Sequence, residues 1–433
     1  MVERKCVTDR ATETHNAPGR APTNAWLVLA LLLAIYIFNF ADRYLITGLV
    51  GPIKAEFGLG DDFMGLLMGP AFVALYVFAG VPIARLADRK SRIAIIAAGC
   101  VVWSAATVAT GLATGPVSLA LARVAVGIGE AAFAAPAYSL LADYFPVEKR
   151  GRAFAILGLA TYFGQIAGQA GGPAIAALYD WRTAFFAMGI PGVLLGALAV
   201  LTIREPARTV PVKAVPAIPF GQMLGHLRRA PSYVLMMIGM GLGSLSGVAF
   251  GYWGPELFTR NFGIDPTVAK TAFAVNFGMA GLVGMLLFGT LSDKLTTRGR
   301  EWPIRLTAAA MASATACILL VTWSDTFGMA TALAIPSGLL GGGWAVGVLS
   351  SLQYILPERF RATATASFIM VTTLLGYFVG PWLTGAVSQA LGGDAWSLQV
   401  GLSVAIPLGF VGALCCLLAA RTLERDRAAL SDA

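Results

Sequence analysis

Apolar runs, each of the ~20 residues an α-helix needs to cross a bilayer core of about 30 Å, recur along nearly the whole sequence. They lie at 26–50, 63–86, 93–113, 117–143, 153–178, 184–203, 232–258, 267–291, 304–323, 328–355, 363–388 and 396–420. A helix satisfies its backbone hydrogen bonds within itself, so such runs leave few alternatives in lipid. The expected fold class is an all-α integral membrane protein with twelve transmembrane helices. Hydrophobic residues make up 57% of the chain and charged residues 12%. That leaves too few charges to cover a water-facing surface, so most of the chain must face lipid.

The first 25 residues are polar, with no apolar run ahead of the first span, so no cleavable signal peptide is expected. An even number of spans puts both termini on one side. Of the 31 Lys and Arg residues, 25 fall on that side and four on the other (Lys54, Arg182, Arg260, Lys270), while Arg43 and Arg123 lie within spans. The positive-inside rule therefore assigns both termini to the cytoplasm, in a cell inner membrane or plasma membrane. The net charge of +8 is a topology signal on this reading, and nucleic acid is excluded as a partner. The five cysteines (Cys6, Cys100, Cys317, Cys415, Cys416) lack metal-ligand spacing and read as small apolar residues.

The longest connection, "REPARTVPVKAVPAIPFGQMLGHLRRAP", is rich in proline and base and reads as a cytoplasmic linker. It divides the chain into a tail (1–25), a six-helix bundle (26–203), the linker (204–231), a second six-helix bundle (232–420) and a cytoplasmic tail (421–433). The bundles repeat one another. "ARLADRKSR" after span 2 matches "GTLSDK" after span 8, and "FPVEKRGRAFA" after span 4 matches "LPERFRATATA" after span 10. "GQAGGP" in span 5 likewise matches "GYFVGP" in span 11. Asp88 and Asp293, Pro146 and Pro357, and Pro173 and Pro381 are separated by 205, 211 and 208 residues. Three matches at nearly one spacing define an internal repeat. Two parallel six-helix repeats around a central cavity form a transporter architecture.

On these segments the chain resembles the major facilitator superfamily. The superfamily's loop motif is Gly-x-Leu-Ala-Asp-Arg-x-Gly-Arg. Leu86, Ala87, Asp88, Arg89 and Arg92 match it, whereas Ala84 and Ser91 stand where glycines belong. The second copy keeps Gly289, Leu291, Asp293 and Lys294. Within the superfamily, "NFADRYLI" and "RVAVGIGEAAFAAP" are similar to the Spinster lipid transporters.

Charges inside spans cost roughly 2.5–3.5 kcal/mol each on insertion scales, so those present need a purpose. Asp42 and Arg43 are adjacent on one helix and point about 100° apart, so each needs a partner on another helix. Span 4 offers Arg123 and Glu130, seven residues apart on one face. From a rise of about 1.5 Å per residue, Asp42 and Arg123 lie at similar depths, roughly 12 and 9 Å in, and Glu130 at about 20 Å. In the superfamily spans 1, 4, 7 and 10 line the cavity, so the resemblance brings all four side chains together. The alternative is an ion-pair network that locks helices. A second acid argues against it, because buried pairs contribute little stability, whereas a desolvated acid beside arginines suits proton transfer. Asp42 and Glu130 are thus the expected proton-coupling residues.

The deep charges all belong to the first half, whereas spans 7 and 10 offer Ser244, Ser246, Tyr252, Trp253, Ser350, Ser351 and Gln353. A cavity charged on one wall and weakly polar on the other suits an amphipathic molecule. The expected substrate-binding residues are Arg43, Arg123, Tyr252 and Trp253. Resemblance to Spinster proteins, whose members carry lysophospholipids and sphingosine phosphate, implies an anionic lipid moved by proton-coupled alternating access. A small organic anion is the alternative substrate.

The expected gating residues are Asp88, Arg89, Arg92 and Arg150 in the first repeat, with Asp293, Lys294 and Arg361 in the second. The superfamily sets the two acids against helix N-termini of the opposite half, here span 11 for Asp88 and span 5 for Asp293, where a carboxylate is favoured. The glycine–proline segments read as close packing and a bend. His15 and His226 lie outside the spans. No phosphate loop, His-Glu-x-x-His or Cys-x-x-Cys occurs, so no enzyme, cofactor or metal is expected. The partners expected are an amphipathic substrate, protons and the bilayer, with the chain acting as a monomer.

Overall fold

The computed structural model describes residues 24–431 apart from 88, 207–224, 226 and 229, with the side chains of 147, 358–362 and 431 also outside the described set. Most of the expected N-terminal tail and of the linker, Cys6, His15, His226, Asp88 and the Arg361 side chain therefore lie outside the described residues. Among the described residues, eleven helices are long and apolar enough to cross a membrane. In the first half they are α1 (Ala25–Gly48), α2 (Asp61–Ala87), α3 (Arg92–Gly111), α4 (Pro116–Tyr144) and α6 (Trp181–Thr202). In the second half they are α7 (Pro231–Phe262), α8 (Pro266–Thr296), α9 (Trp302–Thr322), α10 (Phe327–Ile355), α11 (Thr363–Ala390) and α12 (Ala395–Leu430).

The expected fifth span is helical but not continuous. Residues 147–178, here α5, run as Val147–Gly158, Ala160–Ile166, a π-helical turn at Ala167–Gly171, and Gly172–Leu178. No piece is long enough to be counted with the eleven. α11 carries a π turn at the matching place, Leu374–Val379. Each glycine–proline segment thus carries a π turn ahead of its proline. A β-carbon on Gly168 would stand 2.4 Å from the Ala41 carbonyl, and one on Gly376 2.0 Å from the Ser244 hydroxyl. Glycine is needed there because α5 presses on α1, and α11 on α7.

Local sequence explains many helix ends. Asn24, Ser91, Asp180, Asp265, Thr326 and Asp394 accept hydrogen bonds from first-turn backbone N–H groups as N-caps. Gly58 and Gly263 close helices at φ of 62° and 60°, where a side chain would be strained.

Burial is asymmetric along the membrane axis. At the end where α1 stops and α2 starts, one core joins both halves: Tyr44, Leu45 and Leu49 pack with Phe250, Trp253 and Phe258. At the opposite end each half closes on itself, around Leu32, Leu140 and Phe145 in the first and around Tyr233, Ile355 and Phe368 in the second. The halves thus share a core at the α1–α2 end, touch again where Phe72, Val73 and Val77 of α2 meet Met370 and Leu374 of α11, and keep separate cores at the α2–α3 end.

Residues 421–431, expected as a tail, continue α12 as helix. Leu423 and Leu430 are buried, and the Asp426 carboxylate accepts from Ser232 N–H at 2.7 Å, capping the start of α7.

Candidate functional site

The charged residues of the first half converge inside its bundle. Arg43 donates to the same Glu130 oxygen from Nη2 at 2.6 Å and from Nε at 3.2 Å. Its guanidinium also faces the rings of Phe72, Phe40, Tyr76 and Tyr377 at 4.6, 5.0, 5.1 and 6.0 Å. Cation–π contacts contribute about 2 kcal/mol when desolvated, so the aromatic cage is a real share of Arg43's stabilisation. Glu130 ends the first helical stretch of α4, just ahead of a turn at Ala131–Phe133, and the chain re-enters helix at Ala134.

Asp42 and Arg123, which the depth estimate puts at one level, share no hydrogen bond among the described residues. Asp42 instead accepts a hydrogen bond of 2.7 Å from the Thr107 hydroxyl of α3. Thr107 was not singled out from sequence, since a threonine in an apolar span carries no signal. Arg43 reaches the deeper Glu130 because its side chain is long. Arg123 is fully buried, lies 5.5 Å over the Phe72 ring, and none of its three nitrogens has a hydrogen-bond partner. Asn39 Nδ2, Asp42 Oδ1, Ser104 Oγ and Glu130 Oε1 are buried and unmet as well. A locking network gains only when its members are satisfied, and this one keeps much of its bonding capacity free.

A cavity of about 230 Å³ lies beside this cluster. Its wall comes from α1 (Tyr44), α5 (Tyr162, Gln165), α7 (Ser244, Ser246, Tyr252) and α8 to α11, and none of its lining residues is charged. Spans 1, 7 and 10 contribute as expected, whereas α4 supplies no lining residue. Of the four expected substrate residues, Tyr252 lines the cavity, with its hydroxyl buried and unpartnered. Arg43 and Arg123 stand behind the wall. Trp253 corrects the expectation: one position further round α7, it points away and donates from Nε1 to the Pro381 carbonyl at 2.9 Å. Ser350, Ser351 and Gln353 are not on the wall either.

The sequence reading placed deep charges in the first half alone. The structure adds buried Glu256 and Lys270 in the second half, at the α1–α2 end. Asp61, buried at the start of α2, accepts from Arg260 Nη1 at 2.7 Å and Nη2 at 2.8 Å, from Ser388 at 2.6 Å, and from Lys54. Arg260 also pairs with Glu256 at 2.9 Å, and Lys270 donates to the Gly48 carbonyl at 2.9 Å. Gln169, from the π turn of α5, donates to Gly251 of α7 at 2.8 Å. These bonds clamp the halves together where they share a core. The i, i+4 spacing of Glu256 and Arg260 was the sequence signal available.

The Major Facilitator Superfamily model matches residues 32–381 and 249–432. The chain belongs to that superfamily. It is a multi-pass membrane transporter of Spinster-like type. It is 29% identical over 422 residues to an MFS-type efflux pump of Mycolicibacterium smegmatis, covering 96% of this chain and 97% of that protein. It is 27% identical over 441 residues to human Protein spinster homolog 1, covering 94% and 83%. Among solved structures, a bacterial homolog to the human lysosomal transporter Spinster, crystallised inward-facing and unoccupied, superposes with a TM-score of 0.84 at 25% identity over 94% of this chain and 99% of that one.

The superfamily's loop motif ends here in Arg92, which serves its own half. It donates to Glu205 at 2.7 Å, Asp143 at 2.6 Å and Ser139 Oγ at 3.0 Å. Burial works against the Glu205 charge, but hydrogen bonds from Arg92, Ile93 N–H and Ser91 outweigh it and hold this carboxyl below its usual value. Arg150 donates to the Phe145 carbonyl at 3.0 Å. Arg89, Asp293 and Lys294 are exposed at the α2–α3 end.

Proposed function

We propose that this transporter is proton-coupled and moves an amphipathic anionic lipid, such as a single-chain phospholipid or a sphingosine-phosphate-like molecule, by alternating access. The observation that carries the reading is an uncharged, aromatic cavity set directly against a buried cluster of two acids and two arginines with free bonding capacity. The cavity suits an apolar chain, and the arginines behind its wall suit an anionic head. Its volume of about 230 Å³ is under the ~300–1,000 Å³ of typical ligand pockets, so an acyl chain requires the wall to open. Asp42 and Glu130 take and release the proton. Protonating Glu130 frees Arg43 for the anionic head, and substrate release returns Arg43 to the carboxylate, which links the two occupancies through one shared base.

The orientation proposed has both termini cytoplasmic, so the α1–α2 end faces outside. The shared core and clamp then close the outer side, and the separate cores open the inner side. The likeness to an inward-facing Spinster homolog supports that assignment. The exposed Asp293 agrees with a latch that engages only when the inner side shuts. The likeness to an MFS-type efflux pump favours export through the same cavity as a second reading of its direction.

Binding to the purified protein in nanodiscs tests the substrate class. Arg123→Ala is expected to abolish binding of an anionic amphiphile. At about 0.8 kcal/mol per buried methylene, shortening the chain by two carbons weakens wild-type binding roughly 15-fold. Affinity indifferent to chain length contradicts the lipid reading and installs the small organic anion.

A further inference from the structure

Four rings surround the Arg43 guanidinium, and among them Tyr377 also lines the cavity, whereas Phe40, Phe72 and Tyr76 do not. The Tyr377 ring meets Tyr252 edge-on, with centroids 6.0 Å apart, and Tyr252 meets Tyr44 in the same manner at 5.4 Å. Tyr377 thus borders both the cavity and the Arg43 guanidinium, and Tyr252 and Tyr44 continue its row along the cavity wall.

The position of Tyr377 in the repeat is equally telling. The spacing of 208 residues between Pro173 and Pro381 also relates Gln169 to Tyr377. Both sit in π turns, and both reach into the opposite half: Gln169 bonds the Gly251 carbonyl of α7, and Tyr377 faces Arg43 of α1. A π turn holds one residue more than the regular helix needs, and such turns gather at functional sites. Converting it to α-helix rotates the following residues relative to the preceding ones, which would swing the ring away from Arg43.

We propose that Tyr377 is a positioning residue that seats Arg43 against Glu130 and bars the cavity from the pair until the α11 π turn rearranges. The seating part rests on the proton-coupling role proposed for the pair, and the barrier part does not. An anionic head then reaches Arg43 only after α11 has moved, so that substrate entry and release of the arginine are one event.

The test uses Glu130→Cys with the five native cysteines replaced by alanine, reconstituted in liposomes and exposed to a charged methanethiosulfonate reagent. With Tyr377 present the thiol is expected to react slowly. Tyr377→Leu is expected to speed the reaction at least tenfold, and Tyr377→Phe, which keeps the ring, to leave it slow. In the Glu130 protein, the pH profile of amphiphile binding is expected to shift with Tyr377→Leu and to be restored with Tyr377→Phe. Unchanged labelling in a Tyr377→Leu protein that elutes as a monodisperse peak overturns the barrier, as does a Phe variant that labels as fast as Leu. Should Leu not fold, Tyr377→Met is read in its place. Labelling reports whether or not protons are carried, so failure of the transport reading is seen separately, as absence of substrate-driven proton movement in the wild type.

Discussion

Asp61→Asn is expected to open the α1–α2 end. The Asp61 side chain is fully buried and Arg260 nearly so, and between them run two short bonds of 2.7 and 2.8 Å that cross the halves. Asparagine keeps one acceptor oxygen but loses the charge and turns an amide donor toward Arg260. Ser388 keeps a partner, Arg260 keeps Glu256, and the Lys54 pair that is also weakened lies within the first half, so the loss between the halves is that of one forked, charge-assisted contact. Hydrogen bonds to charged groups contribute about 1.5–3 kcal/mol, and a loss of roughly 2–3 kcal/mol shifts the closed-to-open ratio about 30- to 150-fold. Spin labels at Thr114 and Asp325, exposed in loops of the two halves at the α1–α2 end, report the change by double electron–electron resonance. The variant should gain a longer-distance population that wild type lacks. Asp62→Asn, at an exposed neighbour with no ion pair among the described residues, serves as control. A distance distribution in Asp61→Asn that matches this control refutes the clamp.

Other outcomes follow from the same geometry. Glu130→Gln mimics the protonated acid and is expected to keep amphiphile binding while losing its pH dependence and its proton-driven transport, read by binding titrations and uptake at several pH values. Asp293→Asn is expected to leave the thermal stability of the present state unchanged while raising its population at the expense of the opposite one, read by inner-side spin-label distances. Glu205→Gln is expected to cost about 1 kcal/mol at neutral pH, since solvent screens this partly exposed carboxylate. The native Glu205 carboxyl sits below its unfolded value, so its contribution is full above that value and fades as pH falls through the native one. The gap between wild type and variant in thermal unfolding should therefore narrow toward acid pH, and a constant gap contradicts the pairing.

The helices were legible because lipid imposes a simple rule on composition, and the repeat was legible because its motifs recur at one spacing. The four charges of the first half stood out because charge is rare in apolar helices. Their pairing was not legible: depth along ideal helices puts Asp42 and Arg123 at one level, whereas side-chain length and the turn after Glu130 give the deeper carboxylate to Arg43. Thr107 and Tyr377 act through position, and their residue types are ordinary in such spans. Arg260 and Lys270 entered the sequence reading only through the charge count that sets topology, and Asp61 and Glu256 not at all, because charges near span ends are common and the Arg260 partner of Asp61 lies on the opposite half. The helix through 421–431 was hidden because its charges read as tail, although Leu, Ala, Arg and Glu are good helix formers.

Substrate-driven proton movement tests the central claim most directly. Wild type, Glu130→Gln and empty liposomes, each holding a pH-sensitive dye, are challenged in turn with single-chain anionic phospholipids of varied length and with small organic anions. Proton-coupled lipid transport predicts a luminal pH change with the amphiphiles in wild type alone, growing with chain length over the range the cavity binds. A pH change driven equally by small anions, or one that survives in Glu130→Gln, contradicts it.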